Sequence, residues 1–198
     1  MRVTLFDYGA GNLHSLAKAL GCAGATVAIE TDPGVLGDTE LLVLPGVGAF
    51  ATAAARLAPA LDRVRAAIAD GLPCLGICLG MQLFFDASDE GPGRGLGFVP
   101  GRVSNVTARR VPHIGWNHVD ATRDPLFARA PVDVAYFAHG YACRPESEDC
   151  VTAWSTHESD RFPAAVRQGR AIGFQFHPEK SSRAGLALLA AVIEEVRA

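Results

Sequence analysis

Apolar residues fall in short dense blocks through the first eighty positions, and glycine, proline or acidic residues close most of them. Arg2–Phe6, Thr26–Glu30 and Glu40–Leu44 read as strands, and the run LLVL in the third suits a strand buried on both faces. Leu13–Leu20 reads as a helix between the first two. Phe50–Asp70 is alanine-rich and predicts a helix interrupted near Pro59, because proline removes a backbone donor and clashes with the preceding turn. PCLGIC at 73–78 predicts another buried strand and LGMQLFFDAS at 79–88 a helix, before the turn-rich loop EGPGRGLG. Strands alternating with helices are the pattern of a parallel sheet with crossover connections.

The second half changes texture. Arg102–Val106, Val132–Ala138, Val151–Ser155, PAAVR at 163–167 and AIGFQF at 171–176 read as shorter strands and hairpins, and Ser182–Val196 as a closing helix. No repeat, low-complexity tract or linker divides the chain. The expected fold class is therefore α/β: one domain over 1–198, with a mostly parallel central sheet, flanking helices and additional antiparallel strands in the second half.

At 198 residues and 49% hydrophobic, the chain can bury a single core without disulfides or a structural metal. A net charge of -3 offers no basic stripe for a phosphate backbone, which argues against nucleic acid. No segment reads as a membrane span or a signal peptide, so the expected partners are a small molecule and another protein. The five cysteines, Cys22, Cys74, Cys78, Cys143 and Cys150, form neither a disulfide framework nor paired C-x-x-C spacing, and free thiols in a reducing cytosol are expected. His14, His113, His118, His139 and His157 lack H-x-x-x-H or H-E-x-x-H spacing, so neither a metal nor a cofactor is expected.

The chemistry concentrates in two places. GICLG sets Cys78 between Gly76 and Gly80 at a strand-to-helix junction, the cysteine counterpart of the G-x-S-x-G nucleophile elbow. A helix start beneath the sulfur favours the thiolate, and backbone donors near Leu79 would face an oxyanion. FQFHPE puts His177 beyond a strand, with Glu179 two residues later and Pro178 stiffening the link. That suits a base and its orienting carboxylate, and the three residues together predict acyl transfer through a thioester. A buried structural thiol is the competing reading, and it stands for the other four cysteines. The residues alone leave the amide substrate open.

GICLGMQ at 76–82 with FQFHPE at 174–179 resembles the class I, triad-type glutamine amidotransferases. DYGAGNLHSL at 7–16, LPGVGAF at 44–50, VPHIGWN at 111–117, YFAHGY at 136–141 and HPEKS at 177–181 narrow the resemblance to the glutaminase subunits of imidazole glycerol phosphate synthase, over essentially the whole chain. The resemblance implies that glutamine is hydrolysed to glutamate and ammonia. The ammonia passes to a (βα)8-barrel cyclase subunit in histidine biosynthesis.

By motif, the resemblance makes Cys78 the nucleophile, His177 the base and Glu179 the orienting acid. Gly46, Val47 and Gly48 match the strand that completes the oxyanion hole with Leu79, and a peptide there is expected to switch when the partner is loaded. Gln82, Glu90 and Tyr141 fall at substrate positions. Because Gly140 stands where relatives carry a hydroxyl, backbone N–H groups would serve the substrate carboxylate. His113, Gly115, Trp116, Asn117, Tyr136 and Lys180 match the cyclase-facing surface. The alternatives are a glutaminase for aminodeoxychorismate, anthranilate or pyridoxal phosphate synthesis, and a scaffold without catalysis. PHIGWN and the short chain argue against the first, and the intact triad against the second.

Overall fold

The computed structural model describes the chain except residues 10–12, 34 and 36–38, so the middle of the DYGAGNLHSL motif lies outside the described residues. Seven strands form the central sheet: β1 (Arg2–Phe6), β2 (Thr26–Glu30), β3 (Leu41–Leu44), β4 (Cys74–Ile77), β10 (Val151–His157), β11 (Asp160–Gln168) and β12 (Ala171–Phe174). Their order is β10-β11-β12-β4-β3-β1-β2. From β12 to β2 every pairing is parallel, while β10, β11 and β12 pair antiparallel, so the expected change of texture is real and falls inside one sheet.

Of the parallel strands, β1, β3, β4 and β12 are largely buried because each face of the sheet carries its own apolar layer, while β2 forms an exposed edge. Val3, Leu5, Val43, Leu75 and Ile77 point to one layer, which α1 (His14–Cys22) and α6 (Ser182–Arg197) cover. Phe6, Leu42, Leu44 and Cys74 point to the other, under α2 (Phe50–Leu57) and α3 (Leu61–Ala69). Ala58–Ala60 forms a 3-10 turn between α2 and α3, which is the interruption that Pro59 predicts.

The helix expected over 79–88 is a correction: α4 spans only Leu79–Gln82. The loop that follows returns and pairs with the segment just past the helix. Leu96 N–H donates to Leu83 at 2.6 Å, Val99 to Phe84 at 3.1 Å and Gly95 to Asp86 at 3.0 Å. The helix itself tightens at its end, where Phe84 and Phe85 donate three residues back to Met81 and Gln82, and the carbonyls beyond it turn to the returning loop. The chain instead enters β5 (Ala87–Ser88), which joins β6 (Gly101–Asn105) and β9 (Tyr141–Pro145) in a small second sheet.

Three elements escape the sequence reading. β7 (His113–His118) pairs antiparallel with β8 (Val134–His139) in a separate ribbon, and β7 holds a glycine and three polar residues that hide its alternation. β9 follows β8 with only Gly140 between them. α5 (Pro125–Arg129) is a five-residue helix started by Asp124, whose side chain accepts from Leu126 N–H at 2.9 Å.

Candidate active site

Three neighbouring strands end at one place. β3 runs into Pro45 and Gly46, β4 into Cys78, and β12 through Gln175 and Phe176 into His177, so the order β12-β4-β3 sets the nucleophile between its base and the glycine-rich segment that follows β3. Cys78 sits at φ 48°, ψ −105°, a conformation that costs a side chain energy and persists where the surroundings enforce it. The enforcement is visible. A Cβ on Gly80 would lie 2.0 Å from the Leu44 carbonyl oxygen, and one on Gly76 would lie 2.7 Å from the Gly80 carbonyl, so the elbow folds onto β3 and onto itself only with hydrogen at both positions.

The imidazole is held on several sides. His177 N–H donates to the Tyr136 carbonyl at 2.8 Å, and the His177 carbonyl accepts from Ser181 Oγ at 2.7 Å. Its Nδ1 lies 2.9 Å from Glu179 Oε1, which keeps the proton on Nδ1 and turns Nε2 toward Cys78. Burial alone would depress its proton affinity. The interactions with Cys78 and Glu179 outweigh that and push the pKa up to about 9, as an imidazolium paired with acceptors requires. Glu179 Oε2 is buried and has no partner among the described residues.

Gly46 lies tight against this pair, because a Cβ there would sit 2.9 Å from His177 Cε1 and 3.1 Å from Cys78 Cβ. Gly48, two residues on, has φ 120°. Upstream, the Tyr8 hydroxyl donates to the Pro45 carbonyl and tethers the end of β3. A cavity of about 230 Å³ opens on Cys78. Its walls include Gly46, Val47, Gly48, Leu79, His177 and Lys180, and also Gln82, Glu90 and Tyr141.

The substrate-position residues are tied into the fold. Gln82 Nε2 donates to the Tyr141 carbonyl at 3.0 Å and to Gln175 Oε1 at 3.2 Å, so what it can offer a ligand is its carbonyl oxygen. Glu90 Oε2 accepts from Phe50 N–H at 2.7 Å and caps α2, whose preceding Ala49 has no side-chain acceptor.

The ribbon divides the residues expected on a cyclase-facing surface into two sets. Trp116 pairs with Tyr136 on the outward face beside Ile114, and Lys180 is exposed nearby in the chain, after Glu179. Gly115 and Asn117 alternate with them. His113 is a correction, since it is buried beside His139, with its Nδ1 3.0 Å from His139 Nε2, and stacks on the partly buried His157. In a strand, alternate side chains face opposite ways, and His113 falls on the inner parity.

Sequence reasoning missed Gln175, whose Nε2 lies 3.4 Å from Cys78 Sγ, and Ala138, whose carbonyl lies 3.8 Å from it. The signal for Gln175 was present: a polar residue between Phe174 and Phe176 in a buried run needs partners. Two larger hollows lie elsewhere: one of about 540 Å³, between α3 and the β11–β12 turn, has Arg65, Gln168 and Arg170 on its wall, and one of about 520 Å³ has Glu146, Asp149 and Cys150, and neither sets a cysteine beside a histidine. No helix of the described residues is long and apolar enough to cross a membrane, and no three His, Cys, Asp or Glu residues among them cluster as metal ligands.

The family model "Glutamine amidotransferase class-I" matches residues 4–194. The chain is 48% identical over 196 residues to the imidazole glycerol phosphate synthase subunit HisH of Symbiobacterium thermophilum, covering 96% of this chain and 92% of that one. It is 41% identical to the HisH subunit of Methanothermobacter thermautotrophicus, covering 99% and 100%. Among solved structures, PurLQS from Thermotoga maritima superposes with a TM-score of 0.79 at 19% identity, over 98% of each chain. The last of these speaks for the fold alone, whereas the family model and the two HisH sequences, set beside the elbow and its histidine, identify the chain as a member of the class-I glutamine amidotransferases, in their HisH branch.

Proposed function

We propose that this chain hydrolyses glutamine with Cys78, His177 and Glu179, as the glutaminase subunit of an imidazole glycerol phosphate synthase in histidine biosynthesis. The observation that carries the proposal is a cysteine at positive φ just past the central strand β4, between the glycine-rich segment after β3 and a histidine fixed by a carboxylate at 2.9 Å.

The steps follow from that arrangement. His177 Nε2 takes the Cys78 thiol proton, the sulfur attacks the carboxamide carbon of glutamine, and the oxyanion is met by the Leu79 N–H and a peptide N–H of the 46–48 segment. His177 gives the proton on Nε2 to the departing nitrogen, so ammonia leaves and a thioester remains. The now neutral imidazole takes a proton from water, whose oxygen attacks the thioester, and glutamate departs as the thiol is restored. Glu179 holds Nδ1–H throughout. A cavity of about 230 Å³ suits a single amino acid. The Gln82 carbonyl oxygen and a free oxygen of Glu90 suit its α-ammonium, and backbone N–H groups at 140–141 suit its carboxylate.

The ammonia goes to a (βα)8-barrel cyclase that makes imidazole glycerol phosphate and the carboxamide ribonucleotide. The outward face of the β7–β8 ribbon is its docking surface, and Lys180, on the cavity wall and exposed, pairs with a carboxylate at the ammonia entrance. The whole chain acts as one domain, and its five free cysteines fit a reducing cytosol. The 46–48 segment reorients when the partner carries its nucleotide, which couples the two reactions.

The test is glutamate release from glutamine by wild type and Cys78→Ala, alone and with the cyclase and its nucleotide ligand. Cys78-dependent activity that rises on adding both is expected. Activity that persists in Cys78→Ala would overturn the triad, and equal rates with and without the nucleotide would overturn the coupling.

A further inference from the structure

The Cys78 sulfur has a neighbour that the triad does not use. Gln175 is fully buried and bonds by its own N–H to the Ala164 carbonyl at 2.9 Å, and its side-chain amide nitrogen points at Sγ from 3.4 Å. An amide side chain can be turned over with little change of shape, so the chemistry depends on which end faces the sulfur. The surroundings decide this, starting from an atom that cannot be turned over.

That atom is the Tyr141 carbonyl oxygen, which can only accept. Gln82 reaches it at 3.0 Å, so the end of Gln82 found there must be its NH2. The same nitrogen lies 3.2 Å from the Gln175 side chain, and with a donor on that side the facing atom of Gln175 must be its carbonyl oxygen. Its NH2 is therefore left for Cys78. His139 donates from Nδ1 to the same Tyr141 oxygen at 2.8 Å, which confirms the oxygen as the common acceptor and ties the series to the core.

Resting on the reading of Cys78 as nucleophile, we propose that Gln175 is a further catalytic residue: its side-chain N–H donates to the Cys78 thiolate, and Gln82 is the positioning residue that fixes the direction of that donation. Gln175 reaches the sulfur from β12, independently of His177. It holds negative charge on the sulfur before attack and again when the thioester breaks, and it makes no contact that a thiol hydrogen would need. Gln82 thus has two duties, its carbonyl oxygen toward substrate and its NH2 toward Gln175.

The test uses the full-length chain and two variants, Gln175→Leu and Gln175→Glu. The first removes the donor with little change in volume. The second keeps the shape, puts a carboxylate beside the sulfur and retains a polar group for Gln82, so it serves where the leucine variant folds poorly. Alkylation by iodoacetamide is followed at Cys78 itself, by mass spectrometry of its peptide, across pH, together with kcat and KM for glutamate release in the presence of the cyclase and its nucleotide ligand. A hydrogen bond to a charged group is worth enough to move the midpoint of alkylation up by roughly one to two pH units and to lower kcat by roughly ten- to hundredfold, with KM changed by less than about threefold. A midpoint that stays at the wild-type value in the folded variants overturns the role of Gln175, even where kcat falls, because packing alone leaves the pH dependence of the sulfur in place. Failure of the underlying reading has a different signature, which is glutamate release that survives Cys78→Ala.

Discussion

The ring of Trp116 meets that of Tyr136 edge-on across the β7–β8 pair, with centroids 6.1 Å apart. The alternation of β7 places Ile114 and Trp116 outward at 63% and 55% exposure, with Val111 beside them at the cis Val111–Pro112 bond. An exposed apolar patch of this kind suits the docking surface proposed above for the cyclase. Trp116→Ala is expected to weaken binding of the cyclase by about 2 kcal/mol, roughly thirtyfold in Kd, and to leave the melting temperature near that of wild type. A calorimetric titration that finds unchanged affinity would remove Trp116 from the interface.

Glycines at two positions should respond in opposite ways. Gly80→Ala forces a methyl group against the Leu44 carbonyl oxygen and is expected to cost about 3 kcal/mol or more, with a lowered melting temperature. Gly21→Ala, inside α1 with nothing within 4 Å of the new methyl group, is expected to stabilise by about 0.5–1 kcal/mol. Denaturant unfolding of the two variants checks both signs.

Arg167 on β11 joins two helices. It donates from Nη2 to Asp124 Oδ1 at 3.0 Å and from Nη1 to Glu195 Oε1 at 2.7 Å. Asp124 is almost wholly buried and starts α5, so removing the guanidinium strands a buried carboxylate. Arg167→Ala is expected to cost about 3 kcal/mol in a urea titration. A cost below about 1 kcal/mol would mean that water replaces the guanidinium at Asp124.

Acid should unfold the protein through its buried histidines. Burial, together with the His157 imidazole, lowers His113 to about 4, and burial, with the neighbouring imidazoles, lowers His139 to about 3. The unfolded chain takes up protons below its ordinary value near 6.5, and the folded chain refuses them until about pH 4 and 3. Stability is therefore full above about pH 6.5 and lost as the pH falls, by up to about 2.7 kcal/mol per unit where both act. His177 works the other way: with its folded value raised to about 9, its contribution is complete below about 6.5 and disappears as the pH rises through 9. Urea midpoints measured from pH 4.5 to 9.5 should peak near about pH 6.5. His113→Gln should flatten the acid limb, and an unaltered limb would exclude His113 from it.

The parallel core was legible because its strands are continuous apolar blocks between glycines and helices, so Arg2–Phe6 and Thr26–Glu30 appear in the structure with the boundaries expected from sequence. The elbow was legible for a related reason, since Gly76, Cys78 and Gly80 form one local turn whose geometry follows from its own residues. α4 was misread because the segment after it pairs with Leu96 and Val99, more than ten residues downstream, instead of continuing as helix.

By itself the sequence determined the strands of the parallel core, the elbow, and the histidine with its carboxylate, because each rests on local backbone preference or on the chemistry of adjacent residues. Only the tertiary structure decided that β12 lies beside β4, that His113 turns inward while Trp116 turns outward, and that Gln175 faces the sulfur. Those outcomes depend on strand order, on the parity of a pleat and on the direction of an amide set by a carbonyl 34 residues away in the chain, and none of them is encoded in the residues next to the group concerned.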